Sequence, residues 1–583
     1  MPDKIVDMEP GASSGAMGGQ PVLTSTSSPV STKGRSGEMA VITGPVVIFL
    51  LWAGFVVAFI GSRGLWNPDE PRYLQVAWEM AVSKHFFVPT FNGLIYAQKP
   101  PLLFWLAIAF SHVIPFEYTT QAVSAMSGLG TLFLTYGIGS RLSGRRAGLC
   151  AALVLMSAGL YAWMIHTGNI DTLLTFFTTL SIYFYIRYAD KGGLAWWYAA
   201  CISTGMSILA KGPVGLIVFL VFVFSVKAVD RKNPVKLPAS SLLFGMGMAL
   251  VPVLLWLVPA CITGGAAYTK MILFTQNVGR AVSSFAHRRP WYYYITQLPA
   301  LFLPWSILII MGIPRIFRSI REKNRDVLIY LAWFLSVFIC FSLISGKRGR
   351  YLLPLFPALS LLVAHVADKW GREGKQSVSL VIMSGISGLV ILILALFPVV
   401  ALLFAKKHWV LSLFQIDFFA PPLLMMYGFC VAGGACLWLA RQYRQERRAV
   451  FSTQAIALSV LFIMGAAHVY YVPVIDGVKS VKKASAMVKS LIPTGGHVAF
   501  FHSRYNNGWN FYLQKPHIEV VSAGELSAAA RPWDVVITDK RYVNDLKALP
   551  GYRSAADLRA GGDIFYIFVP KRPPAIDNYP VAH

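Results

Sequence analysis

Between Asn67 and Trp105 the chain reads NPDEPRYLQVAWEMAVSKHFFVPTFNGLIYAQKPPLLFW, directly after its first long apolar run. Asp69 and Glu70 stand side by side, and Arg72, Glu79, Lys84 and Lys99 follow before the next apolar run opens at Pro100. Ionisable groups against hydrocarbon cost several kcal/mol unless paired or hydrated, so such a cluster marks a site. A carboxylate can activate an attacking group, and a nearby cation can stabilise a departing anion. The plainer reading is a polar loop in which Asp69 caps a short helix.

Further along, the connections between apolar runs offer Lys99, Lys211, Arg280, Arg288, Arg289, Lys347, Arg348 and Arg350. Single Lys and Arg residues at helix ends usually snorkel toward water, which accounts for most such positions. The run SGKRGRYLLPLFP is harder to dismiss. It sets three cations in four positions, Lys347 to Arg350, on the side of the membrane where the charge rule depletes them. Asp171 opens another apolar run behind Asn169 and Ile170.

The elements that must position these groups follow from composition. With 56% hydrophobic and only 13% charged residues among 583, the chain is an α-helical integral membrane protein. Its net charge of +26 would point to nucleic acid in a soluble protein; here it is explained by basic loops between spans, and no nucleic-acid partner is expected. Residues 1–38 are rich in Gly, Ser, Thr and Pro and are expected to be a disordered cytoplasmic tail. Residues 39–473 carry about thirteen runs long enough to approach the ~20 residues of a bilayer span. They lie near 41–61, 119–140, 147–165, 169–187, 195–210, 213–229, 240–262, 293–314, 326–345, 352–367, 377–404, 417–440 and 450–472. Basic loops at 141–146, 227–236, 315–325, 369–375 and 441–448 assign the inside and put everything after Tyr471 outside. The parity works only if 100–115 enters and leaves on one side or one span is wrong. All six cysteines fall in apolar runs without CxxC spacing and read as packing residues. Residues 474–583 alternate helical patterns, near 477–491 and 541–548, with β-rich runs at 497–501, 517–521, 534–538 and 563–569. They read as a small extramembrane α/β domain that supports or recognises something rather than performing chemistry.

Several stretches, in order, resemble the membrane glycosyltransferases with the C-type fold that use polyprenyl-phosphate sugars. They are Asp69-Glu70 with Arg72-Tyr73, Tyr96-x-x-Lys99-Pro100-Pro101, Asn169-Ile170-Asp171, Lys211-Gly212-Pro213, Gln276–Arg280 with His287–Tyr294, and Lys347–Pro357. The nearest likeness is to the aminoarabinose transferases that modify lipid A, with the protein O-mannosyltransferases as more distant cousins. The resemblance implies a bacterial inner-membrane enzyme that carries sugar from an undecaprenyl-type phosphate to a lipid A or lipopolysaccharide acceptor on the periplasmic face. Attack opposite the departing phosphate would invert the anomeric carbon. A protein O-glycosyltransferase, with a protein acceptor, is the second reading. A transporter or flippase of lipid-linked sugars is the third, although no internal repeat is visible and the charges gather in loops. By position, Asp69 and Asp171, with Glu70 beside the first, become the acidic catalytic candidates. Lys99, Arg288, Lys347, Arg350, Tyr351 and His287 become candidates for holding the donor phosphate. The lipid A enzymes resemble Tyr-x-Glu-Lys-Pro where this chain has Gln98-Lys99, so only His287 remains of a possible metal-sharing pair. An amide is a poor zinc ligand, and no cofactor and no strongly bound metal are expected.

Overall fold

The computed structural model describes residues 33–57, 59–66, 68–230, 237–273, 288–372, 449–502, 508–528 and 533–571. Among the described residues, helices dominate up to residue 490, and a five-stranded mixed sheet is formed within 498–570.

Among the described residues, four helices are long and apolar enough to cross a membrane: Phe116–Leu142, Ala239–Leu273, Arg325–Leu343 and Gly349–Lys369. A fifth is counted if Tyr293–Leu301 and Trp305–Arg321, bent by 109°, form one span. The expected spans at 377–404 and 417–440 lie outside the described residues. Others exist as helices with different dimensions from those read in the sequence. The run 147–165 is broken at Ser157–Ala158 into Arg145–Met156 and Gly159–Met164. The run 169–187 is a 22-residue helix, Ile170–Lys191, whose polar side chains lower its hydropathy. Thr175, Thr178 and Ser181 each donate to a carbonyl four residues back, which is how hydroxyls are satisfied inside a bundle. The segment 100–115 yields only the 9-residue helix Leu102–Phe110. That is about 14 Å of rise against roughly 30 Å of hydrocarbon, so by length it does not cross.

Two boundaries also differ from the sequence reading. The helix Lys33–Val57 begins inside the expected tail, and the helix Ala449–Lys479 continues through 474 with Pro473 inside it. The sheet runs, edge to edge, Glu519–Val521, Val498–Phe501, Val535–Asp539, Asp563–Pro570, Tyr552–Ala560. Its first three strands are parallel, and the last two run antiparallel to their neighbours. The strand Tyr552–Ala560 was not visible in the sequence because it is an edge strand with mostly exposed residues, Arg553, Asp557 and Arg559 among them.

The end of the helix Ala449–Lys479 and the sheet region together grip the first loop. Asp476 accepts from the Gly64 amide at 2.8 Å and from the Trp66 indole at 2.7 Å. Tyr512 donates to Glu117 at 2.8 Å and accepts from the Leu65 amide at 3.1 Å. The hairpin Thr90–Ile95 is latched from both sides. Glu79 accepts from Thr90, Asn92 and Gly93 at 2.8, 2.6 and 3.2 Å. Asn92 in turn donates to the Ile518 carbonyl at 3.0 Å and accepts from its amide at 3.0 Å.

Candidate active site

Asp69 is the first residue of the helix Asp69–Ser83, whose N-cap is Pro68. Pro68, not Asp69, therefore holds the capping position that the plainer sequence reading assigned to Asp69. A carboxylate in the first turn is favoured by the helix dipole. Its oxygens are instead taken by three guanidinium groups: Arg72 on one, Arg348 at 3.1 Å and Arg350 on the other. Burial alone would raise the Asp69 carboxyl, but Arg350, Arg72 and Arg348 more than reverse this and hold it below the usual carboxylate value.

Asp171 stands at the head of the helix Ile170–Lys191. Asn169 builds that helix start by accepting from the amides of Asp171 and Thr172 at 2.9 and 3.0 Å. Asp171 pairs with Lys211 and lies 3.5 Å from Arg350 Nε. One guanidinium therefore touches both carboxylates. Lys211 ends the helix Leu194–Lys211, where Gly212, at φ 93°, turns the chain away. Arg350 and Tyr351 belong to the 3-10 turn Gly349–Leu355, anchored by buried Leu352, Leu353, Pro354 and Leu355.

These groups line a cavity of about 740 Å³. Its polar lining is Asp69, Arg72, Gln98, Lys99, Asp171, Lys211, Arg348, Arg350 and Tyr351, with Tyr73 and Tyr96. Its apolar lining includes Ile208, Val253, Trp256, Leu257, Ile272 and Phe341. Five cations face two carboxylates here, so the described lining carries an excess of positive charge suited to a phosphate. The apolar lining suits hydrocarbon.

Not every residue singled out in the sequence reaches this cavity. Asp69, Asp171, Lys99, Arg350 and Tyr351 line it. Glu70 points elsewhere and is filled by Arg63, Trp66 and Gly168. Lys347 is buried and donates to the Arg289 carbonyl at 3.1 Å. Arg288 is exposed and pairs through its backbone with Gly346. His287 lies outside the described residues, and with it the possible metal position. Arg72, Tyr73 and Tyr96 were not selected from the sequence, and neither Lys211 nor Arg348 was carried from the pool of outer-loop cations into the site. The signal for Arg72 was present: three residues after Asp69 on a helix, it shares that residue's face.

Residues 98–261 match the family described as dolichyl-phosphate-mannose-protein mannosyltransferase. The chain is 30% identical over 343 residues to undecaprenyl phosphate-alpha-4-amino-4-deoxy-L-arabinose arabinosyl transferase 1 of Pseudomonas fluorescens strain Pf0-1, covering 57% of this chain and 58% of the relative. It is 28% identical over 373 residues to transferase 2 of the same strain, covering 61% of this chain and 65% of the relative. The matched region thus spans less than two thirds of the length of these two relatives. In three dimensions the chain resembles the crystal structure of ArnT from Cupriavidus metallidurans bound to undecaprenyl phosphate, with TM-score 0.72 at 19% identity, over 90% of this chain and 97% of that one. That likeness establishes the fold. The family match over residues 98–261 and these relatives make the chain similar to a group of membrane glycosyltransferases that includes aminoarabinose transferases and protein mannosyltransferases.

Proposed function

We propose that the protein transfers a sugar from a polyprenyl-phosphate donor, of the undecaprenyl type named for its relatives, to a lipid A-type acceptor at the outer face of a bacterial inner membrane. The observation that carries this is that one cavity is lined both by five cations around Asp69 and Asp171 and by apolar side chains. Lys99, Lys211 and Arg348 would hold the donor phosphate and stabilise the charge it gains as the glycosidic bond breaks. The isoprenoid would lie along Trp256, Leu257 and Phe341. The acceptor would attack from the Asp69 side, opposite the leaving phosphate, and invert the anomeric centre.

Asp69 bears on the acceptor. A carboxylate held by three guanidinium groups is ionised but weakly basic. It would hold Arg72, Arg348 and Arg350 in place for the acceptor rather than deprotonate an alcohol. This favours an acceptor that is already ionised, such as a lipid A phosphate, over a Ser or Thr hydroxyl of a protein. Basic loops facing the cytoplasm support the placement of the site outside, the N-terminus inside and residues 474–583 in the periplasm.

The test is sugar transfer by the purified protein in proteoliposomes with undecaprenyl-phosphate sugars, offered lipid A and a Ser/Thr acceptor peptide in parallel. Mass spectrometry of lipid A and envelope glycoproteins from a deletion strain gives the cellular counterpart. Glycosylated lipid A is expected. Transfer to the peptide alone would establish the protein-acceptor reading, and transfer to neither would remove the proposal.

A further inference from the structure

Outside the cavity, the densest buried polar cluster surrounds Glu70. Both its oxygens are bonded twice. Arg63 donates Nη1 and Nη2 to them at 2.6 Å each, the Trp66 amide donates at 2.8 Å, and the Gly168 amide donates at 2.7 Å. Arg63 is 3% exposed and lies 4.9 Å from the Trp66 ring centroid and 5.7 Å from that of Trp163. Its remaining bonds go to the carbonyls of Gly64 at 3.0 Å and His166 at 3.1 Å. The pair therefore rivets segment 63–70 to segment 166–168.

A site carboxylate stands within or just beyond each segment: Asp69 in the first and Asp171 three residues after the second. Asp69 precedes Glu70 directly. Gly168 precedes Asn169, whose side chain is spent on the Met164 and Thr167 carbonyls and on the amides of Asp171 and Thr172. Gly168 has no room to be anything larger, since a Cβ there would meet Thr120 Oγ1 at 2.4 Å. The close approach of its amide to Glu70 is thus built into the sequence. Glu70 lines no part of the cavity and touches no reacting group.

We propose that Glu70 and Arg63 are positioning residues that hold Asp69 and Asp171 at the separation spanned by one guanidinium, that of Arg350. The proposal rests on the transferase reading above and adds to it what sets the spacing of its two carboxylates. Glu70→Gln turns an acceptor facing the Arg63 fork and the Gly168 amide into a partial donor. The two segments then lose their common anchor while every cavity residue is retained.

The experiment compares wild type, Glu70→Gln, Glu70→Asp and Arg63→Lys in proteoliposome transfer, with thermal unfolding recorded for each. Misplacement of reacting groups is expected to lower kcat by about 10²-fold in Glu70→Gln, with the donor KM changed little. Glu70→Asp, which keeps the charge, should recover part of the loss. The acid limb of the rate profile should move to higher pH, because Asp69 slips from Arg350, Arg72 and Arg348. Those are the cations that face it, with Tyr73 and Tyr96 nearby. A merely structural role would lower the unfolding temperature and leave kcat, KM and the acid limb per folded molecule at wild-type values, overturning the proposal. Should Glu70→Gln fail to fold, Arg63→Lys decides on the same readouts. Infrared titration of the Asp69 carboxylate, assigned by its loss in Asp69→Asn, measures the shift without turnover. An inactive wild type with a shifted Asp69 band in Glu70→Gln would count against the transferase reading and uphold the positioning role. An active wild type with an unmoved band would do the reverse.

Discussion

The Lys211 ammonium lies 3.9 Å from the centroid of the Tyr351 ring while it pairs with Asp171. The aromatic face thus adds a hold on the cation without competing with the carboxylate for a hydrogen bond. A partly desolvated cation–π contact is worth about 0.5–2 kcal/mol. Tyr351→Phe is expected to keep donor KM near wild type, whereas Tyr351→Leu should raise it several-fold. Equal KM values for both variants would show that the ring does not hold Lys211 for the donor.

Removing charge at Asp69 addresses the reaction itself. Asp69→Asn keeps shape and is expected to fold while losing about 10²-fold in transfer, because Arg72, Arg348 and Arg350 lose the charge that places them. Lys99→Ala should lose most transfer through donor binding, and Lys99→Arg should retain part, because charge survives and geometry changes. Lys369→Ala is the control. Its exposed 3.4 Å pair with Glu322 is a surface contact of little worth, and transfer should be unchanged. Transfer in membranes at matched protein levels is the measurement, and wild-type rates for both Asp69→Asn and Lys99→Ala would remove the catalytic assignment.

The pH dependence has a definite sign. Asp69 is depressed below the ordinary carboxylate value of about 4. Its pairing energy, and any step needing its ionised form, is present above that value and disappears only as pH falls through the depressed one. Activity should therefore persist on the acid side beyond the range of a free Asp. Arg350→Gln, which removes the strongest opposing cation, should shift the acid limb upward as well as slowing transfer. A limb at the same pH in both proteins would show that Arg350 does not set the Asp69 charge.

Asn92 joins the first loop to the sheet region from a left-handed backbone, φ 52°. Asn92→Ala removes its bonds to Asn510 and Ile518 and places a disfavoured residue in that conformation. A loss of about 2 kcal/mol or more is expected. Faster hydrogen exchange should appear at both 92–96 and 510–518. Asn92→Gly relieves the backbone but not the lost bonds, so it should fall between wild type and Asn92→Ala. Unaltered exchange in Asn92→Ala would mean that the two regions are held together elsewhere.

Orientation is tested by fusion. Alkaline phosphatase joined after Tyr471 and after His583 should be active at both points, because the basic loops assign that end to the outside. Inactivity at both would place the cavity on the wrong side for the proposed acceptor.

What the sequence determined by itself was the chemistry available. In a chain this apolar, Asp69, Asp171, Lys99 and Arg350 stand out because ionised groups beside hydrocarbon are too costly to keep without a partner or a use. The first loop, the Asn169–Asp171 helix start and the Lys347–Pro357 run were legible for that reason. Which neighbour of each charged residue enters the cavity was decided only by the tertiary structure. Asp69 and Glu70 are adjacent, yet successive residues on a helix diverge by about 100°. One therefore faces Arg350, and the other faces Arg63. Lys347 and Arg348 also diverge, here on extended backbone where successive side chains point to opposite faces, so that Lys347 is spent on the Arg289 carbonyl while Arg348 reaches Asp69. The break at Ser157–Ala158 and the shortness of Leu102–Phe110 also depended on packing, since an apolar run is compatible with a span, a bent pair or a buried stub. Residue types and their cost in a membrane are local properties. The direction in which each side chain points is set by contacts with segments 100 to 400 residues away, and no local pattern encodes it.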